Sequence, residues 1–193
     1  MAARTTMATL IMRLRGLAQA GINDYTVASV SYWTDNQLQD VLDAHRKDVY
    51  RANLHPVQIY NAGTVEYHDY FSEFPNLETT SGGTSIFYVE DAAGSAVGTA
   101  LYTPDYTRGV VTFAADTGGS AYYLYGRSYD LNAAAAEVWR TKAGQYAMAV
   151  NFSTDNHRID RGKIIENCFI MADRYDRMSA PTSVTISRND NAY

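Results

Sequence analysis

Met7, Leu10, Ile11, Leu14, Leu17 and Ala18 recur at steps of three and four, the spacing of one apolar helix face. They predict a helix over 5–20, with Gly21 as its C-terminal stop. A short segment follows from Tyr25 to Trp33. Thr34-Asp35-Asn36-Gln37 then reads as a capping box: Thr34 accepts from the Gln37 amide while the Gln37 side chain reaches back. Leu38, Val41, Leu42, His45 and Val49 share the next face, which predicts a second helix over 35–51. Asp40, Asp43, Arg46 and Lys47 fall on its other sides, and Pro56 forbids its continuation.

Helical spacing disappears between 57 and 127. Apolar and β-branched residues come in short runs, at 57–60, 64–71, 85–90, 97–102, 110–114 and 121–125. Turn signals separate them: Asn61-Ala62-Gly63, Ser81-Gly82-Gly83, Asp91 to Gly94, Pro104-Asp105 and Gly118-Gly119. Strands this closely spaced pair antiparallel, because parallel neighbours need long crossovers.

The helical period returns with Leu131, Ala135, Val138, Trp139, Tyr146 and Val150, a helix over 130–150 capped by Asp130. The run Ala133–Ala136 keeps its surface slim, so another helix can approach closely. A polar loop over 151–158 leads to a last helix over 160–178, with Ile165, Cys168, Phe169, Ala172 and Tyr175 on its inner face and Pro181 beyond its end. Val184 and Ile186 alternate with Thr185 and Ser187 like a strand with no core of its own. The expectation is an α+β fold. A small helical bundle from 1–54 plus 129–180 carries an inserted antiparallel β-rich domain over 55–128, and an extended C-terminal arm over 181–193.

Composition narrows the function. Sixteen of the 193 residues are Tyr, a side chain that suits half-buried strands and wet protein interfaces. A net charge of −5 argues against wrapping nucleic acid or binding an anionic membrane. The single cysteine, Cys168, excludes an intrachain disulfide and a multi-cysteine metal site, and fits folding in a reducing cytoplasm. Arg13 and Arg15 interrupt the N-terminal apolar positions, so no signal-peptide core is expected, and no apolar run reaches membrane-spanning length.

Candidate chemistry is sparse. The histidines at 45, 55, 68 and 157 form no HExxH and no zinc spacing with Cys168. His45 reads as a hydrogen-bonded packing residue. His68 and Asp69, adjacent on a strand, point to opposite faces. No G-x-S-x-G elbow is present, and the glycine pairs follow no phosphate-loop pattern. Asp155, Asn156 and Asp160 lack the glycine and terminal glutamate of a calcium loop and read as helix capping. No catalytic residue, cofactor or metal ligand is assigned, and the chain is expected not to be an enzyme.

The order of the helical motifs resembles the head–tail connector (adaptor) proteins of tailed bacteriophages. The residues that carry it are Leu10 to Arg15, Trp33 to Arg46 with its Asp43-x-x-Arg46 ending, Tyr129 to Glu137, Asn151 to Asp155, Asp160 to Lys163 and Ala172 to Tyr175. Thr103-Pro104-Asp105 with Gly109 to Phe113 is similar to siphophage versions. The β-rich insert departs from the smallest members. The resemblance implies a dodecameric ring in the virion neck, assembled in the host cytoplasm. Such a ring docks below the portal, bridges it to a downstream neck or tail protein, and passes double-stranded DNA without sequence-specific binding. It implies that the C-terminal segment reaches the portal, with Val184, Ile186, Arg188 and Tyr193 as docking positions. Spare apolar positions at Tyr50, Ile164 and Met171 are candidates for contacts between subunits. A carbohydrate- or receptor-binding module built on the Tyr-rich strands is the competing expectation.

Overall fold

The computed structural model describes residues 2–22, 24–27, 29–80, 86–148, 153–154, 157–158 and 161–179. The Gly82–Gly83 turn, the Asp155, Asn156 and Asp160 cluster, and the docking positions Val184, Ile186, Arg188 and Tyr193 lie outside these residues. The fold is α+β. A 3-10 turn at Thr5–Met7 opens into α1 (Ala8–Ala18). Gln19, in the left-handed conformation, ends α1 before Gly21 is reached: Ala20 N–H bonds back to Arg15 O at 3.0 Å. The hairpin of β1 (Tyr25–Val27) and β2 (Val30–Tyr32) follows, then α2 (Asp35–Ala44). Both halves of its expected capping box are made, Gln37 N–H to Thr34 Oγ1 at 3.3 Å and Thr34 N–H to Gln37 Oε1 at 2.8 Å.

The second helix stops at Ala44, well short of 51. Residues Arg46–Pro56 form β3, the longest strand, so the helical core expected over 1–54 gives up 46–54 to the sheet. The chain then makes a separate hairpin of β4 (Ile59–Asn61) and β5 (Thr64–Glu66). Its turn residues Ala62 and Gly63 both have positive φ, as a type I′ turn requires. The remaining strands are β6 (Asp69–Phe71), β7 (Tyr88–Asp91), β8 (Tyr102–Asp105), β9 (Val110–Phe113) and β10 (Tyr122–Tyr129). One six-stranded antiparallel sheet takes the order β7-β10-β3-β6-β9-β8.

Pro104, expected in a turn, is inside β8. That strand is an edge, the one place where a missing N–H is tolerated. The run expected as a strand over 97–102 is mostly a 3-10 turn, Thr99–Leu101, before β8 begins at Tyr102. Between β3 and β10, Ala52 pairs with Leu124 and Val49 with Gly126, so Tyr50 and Arg51 together face Tyr125 alone. This is a β-bulge, and Arg51 takes the positive φ, 48°.

Two short strands, β11 (Ser153–Thr154) and β12 (His157–Arg158), pair between α3 (Leu131–Met148) and α4 (Arg161–Met178). Asp130 caps α3, accepting from the amides of Asn132 and Ala133 at 3.0 and 2.9 Å. Two cores result. Met7, Leu10, Leu14, Leu38, Leu42, Ala134, Ala135 and Val138 join α1, α2 and α3. Leu54, Tyr70, Phe87, Val89, Val111 and Leu124 fill the sheet. Trp139, Ala143, Cys168 and Ala172 seal α3 against α4. Phe169, expected on the inner face of α4, is instead 49% exposed, one position past the buried row through Cys168 and Ala172.

Candidate functional site

The junction between the two cores is polar. Glu78 is fully buried, and its carboxylate accepts from Thr6 Oγ1 at 2.6 Å, Tyr129 Oη at 2.7 Å and Arg4 Nε at 3.2 Å. Arg127 lies at 3.5 Å, and Arg4 is also clamped by both oxygens of Asp43 at 2.6 and 2.9 Å. Burial alone would raise the Glu78 pKa. The hydrogen bonds from Thr6 and Tyr129, with the charges of Arg4 and Arg127, hold it below the ordinary glutamate value. Every partner is accounted for within the chain, so this cluster fastens helices to sheet.

A cleft of about 740 Å³ opens between the β1–β2 hairpin, the second half of α3 and the first half of α4. Its floor is Trp139, Cys168 and Lys142, its walls Tyr25, Tyr146, Ile164 and Met171. Lys142 is 6% exposed in a largely apolar setting. Burial pushes its pKa down against the pull of Asp24, 3.4 Å away. Its role is legible from the end of α1. Lys142 Nζ donates to the carbonyls of Ala18 and Gln19 at 3.0 and 2.8 Å, Trp139 Nε1 to Leu17 at 3.3 Å, and Arg15 to Ala20 at 2.9 Å. The terminal carbonyls of α1 are thus satisfied by side chains from α3 and from α1 itself, with positive charge at the negative end of the helix dipole.

These groups bind and brace; nothing in them is set to react. The Cys168 thiol is pushed up by burial, against the opposing charge of Lys142, which leaves it protonated and a poor nucleophile. Lys142 already has its three acceptors. His68 bonds toward Phe113 O and Glu66, and Asp69 toward Thr112, so the neighbouring pair serves different partners. His45 sits at the end of α2 with Nε2 2.7 Å from Glu137 Oε2. Among the described residues no three His, Cys, Asp or Glu side chains gather to hold a metal ion, and no helix is long and apolar enough to cross a membrane.

Of the sequence-assigned positions, Ile164 and Met171 come together on the cleft wall. Tyr50 lies apart, on the bulge of β3, 83% exposed and edge-on to Tyr125, which stacks on Tyr88 at 4.5 Å. The sequence reading passed over Lys142, Tyr25 and Gln145. A signal existed for the lysine: it lies seven residues after Ala135 and four after Val138, on the buried stripe of α3. It also missed the β4–β5 hairpin as an arm, where Tyr60 is 77% and Val65 44% exposed although the two are paired on one face. No family model, curated protein or solved structure matches the chain.

Proposed function

We propose that this chain is a structural subunit, the head–tail connector of a tailed bacteriophage. Copies form a ring below the portal, dodecameric by the family resemblance, which extends the DNA channel and bridges to the downstream neck protein. The observation that carries the reading is the amount of apolar surface left uncovered on separate elements: Phe169, Ile170 and Met178 along α4, Tyr50 on the sheet, and Tyr60 with Val65 on the β4–β5 arm. A monomer gains nothing from such surfaces, whereas neighbouring copies bury them. The four helices, in order and with the Thr34 and Asp130 caps made, are compatible with the motif order that prompted the resemblance.

The carbohydrate-binding alternative needs open aromatic faces. Tyr88 and Tyr125 stack on each other with an interplanar angle of 6°, and Tyr122 packs against Phe113 and Tyr70, so these rings are engaged within the sheet. The test is native mass measurement of the chain alone and co-expressed with a portal protein, with and without residues 182–193. A portal-bound ring that forms with the full chain, and that is lost on deletion while the thermal midpoint stays put, supports the connector. A chain that stays monomeric with and without portal overturns it.

A further inference from the structure

The β4–β5 hairpin and the α3–α4 cleft have matching deficits. A two-stranded hairpin is marginal by itself in water, yet this one turns Tyr60 and Val65 outward. The cleft has apolar walls, and two buried polar atoms on its lining residues, Tyr25 Oη and Gln145 Oε1, have no hydrogen-bond partner. Such orphans cost about 1–3 kcal/mol each. A tyrosine side chain entering the cleft brings what is missing: a ring for the apolar walls and an O–H that can donate to Gln145 Oε1.

The hairpin cannot serve the cleft of its own chain. β3 leaves the helices at Arg46, paired with Tyr129, and ends at Pro56, paired with Tyr70. Eleven residues at ~3.3 Å each place the hairpin roughly 35 Å from that junction. The cleft lies on the helical side of it, along α3. Charge divides the same way. Residues 52–107 contain seven acids and neither Lys nor Arg, whereas the rest of the chain has 16 basic against 14 acidic residues. The first turn of α4, beside the cleft, holds no acid.

We infer that the β4–β5 hairpin of one copy docks into the α3–α4 cleft of the next, with Tyr60 and Val65 leading. The knob and the hole sit on different parts of one chain, so the contact is head-to-tail and propagates from copy to copy. It deepens the connector reading and rests on its claim of self-association. The experiment pairs Tyr60→Cys with Asn167→Cys, an exposed residue of the cleft, in a Cys168→Ser background. Mild oxidation is expected to give a ladder of dimers, trimers and larger species on a non-reducing gel. In parallel, Tyr60→Asp is expected to raise the concentration at which the wild-type sequence assembles, measured by sedimentation velocity, at least tenfold. If the wild type assembles, but no ladder forms and Tyr60→Asp assembles equally well, the hairpin contact is wrong and the connector reading stands. Cross-links confined to single chains overturn the contact as well. A wild type that sediments as a monomer at every concentration, with no ladder, overturns both.

Discussion

Glu78 shows at the level of one residue how the two cores are held in register. A buried carboxylate without partners would take up a proton; this one stays charged because Thr6, Tyr129, Arg4 and Arg127 surround it. The consequence for acid stability has a definite sign. The folded pKa lies below the ordinary glutamate value, about 4.3 in model peptides. On acidification the unfolded chain therefore binds the proton first. The stabilisation is complete above the ordinary value and is lost as the pH falls through the folded one. Glu78→Gln is expected to lower stability at pH 7 by about 2 kcal/mol, because a charge-assisted cluster loses its anion. The difference between wild type and variant is then expected to shrink from pH 6 to pH 3. Thermal unfolding followed by circular dichroism across that range checks it, and parallel curves would show that Glu78 is not the group being titrated.

Elements reveal where local chemistry decides and where distant pairing does. Gly109, between β8 and β9, has φ +70°, and a Cβ there would stand 2.4 Å from the carbonyl oxygen of Phe74. Gly63, in the β4–β5 turn, has φ +92° with open space around it. Gly63→Ala therefore incurs only the left-handed penalty, about 1 kcal/mol. Gly109→Ala adds a backbone clash that no side-chain rotation relieves, for a total of about 3 kcal/mol. Urea denaturation of both variants makes the comparison; equal losses would refute the close approach.

The same contrast explains what was legible in the sequence. α1, α3 and α4 were readable because their apolar residues repeat at helical spacing along the whole length, and α2 announced its start through Thr34 and Gln37. Its end did not show. Val49 continues the spacing of Leu38, Val41, Leu42 and His45, and the bulge at Tyr50 and Arg51 breaks the alternation that would have marked β3 as a strand. What fixes β3 is pairing with β10, more than 70 residues away, which no local window contains. The cleft was half legible for a related reason. Ile164 and Met171 stood out as spare apolar positions on one helix, but the wall facing them comes from Tyr25, Lys142 and Tyr146, brought there by the packing of α3 on α1 and α4.

At the scale of the molecule, the partition of charge and the partition of cores coincide. The acids without basic neighbours lie in the sheet and its hairpin, and nearly all Lys and Arg lie in or beside the helical body. Two opposed effects then govern how association responds to salt. The net charge of −5 makes whole copies repel, but over distances well beyond the Debye length, about 8 Å at 0.15 M ionic strength. That repulsion is already damped under ordinary conditions. Attraction between an acidic hairpin and the helical end of the next copy acts at contact, where screening is felt only as the Debye length approaches about 3 Å near 1 M. Raising sodium chloride from 0.15 to 1 M is therefore expected to weaken assembly severalfold in the wild type. In Tyr60→Asp, which no longer seats the hairpin, the same change should have little effect. Sedimentation velocity at matched protein concentrations separates the outcomes. Assembly that strengthens steadily with salt would mean that apolar burial alone drives the copies together, and that the division of charge between sheet and helices does not choose their orientation.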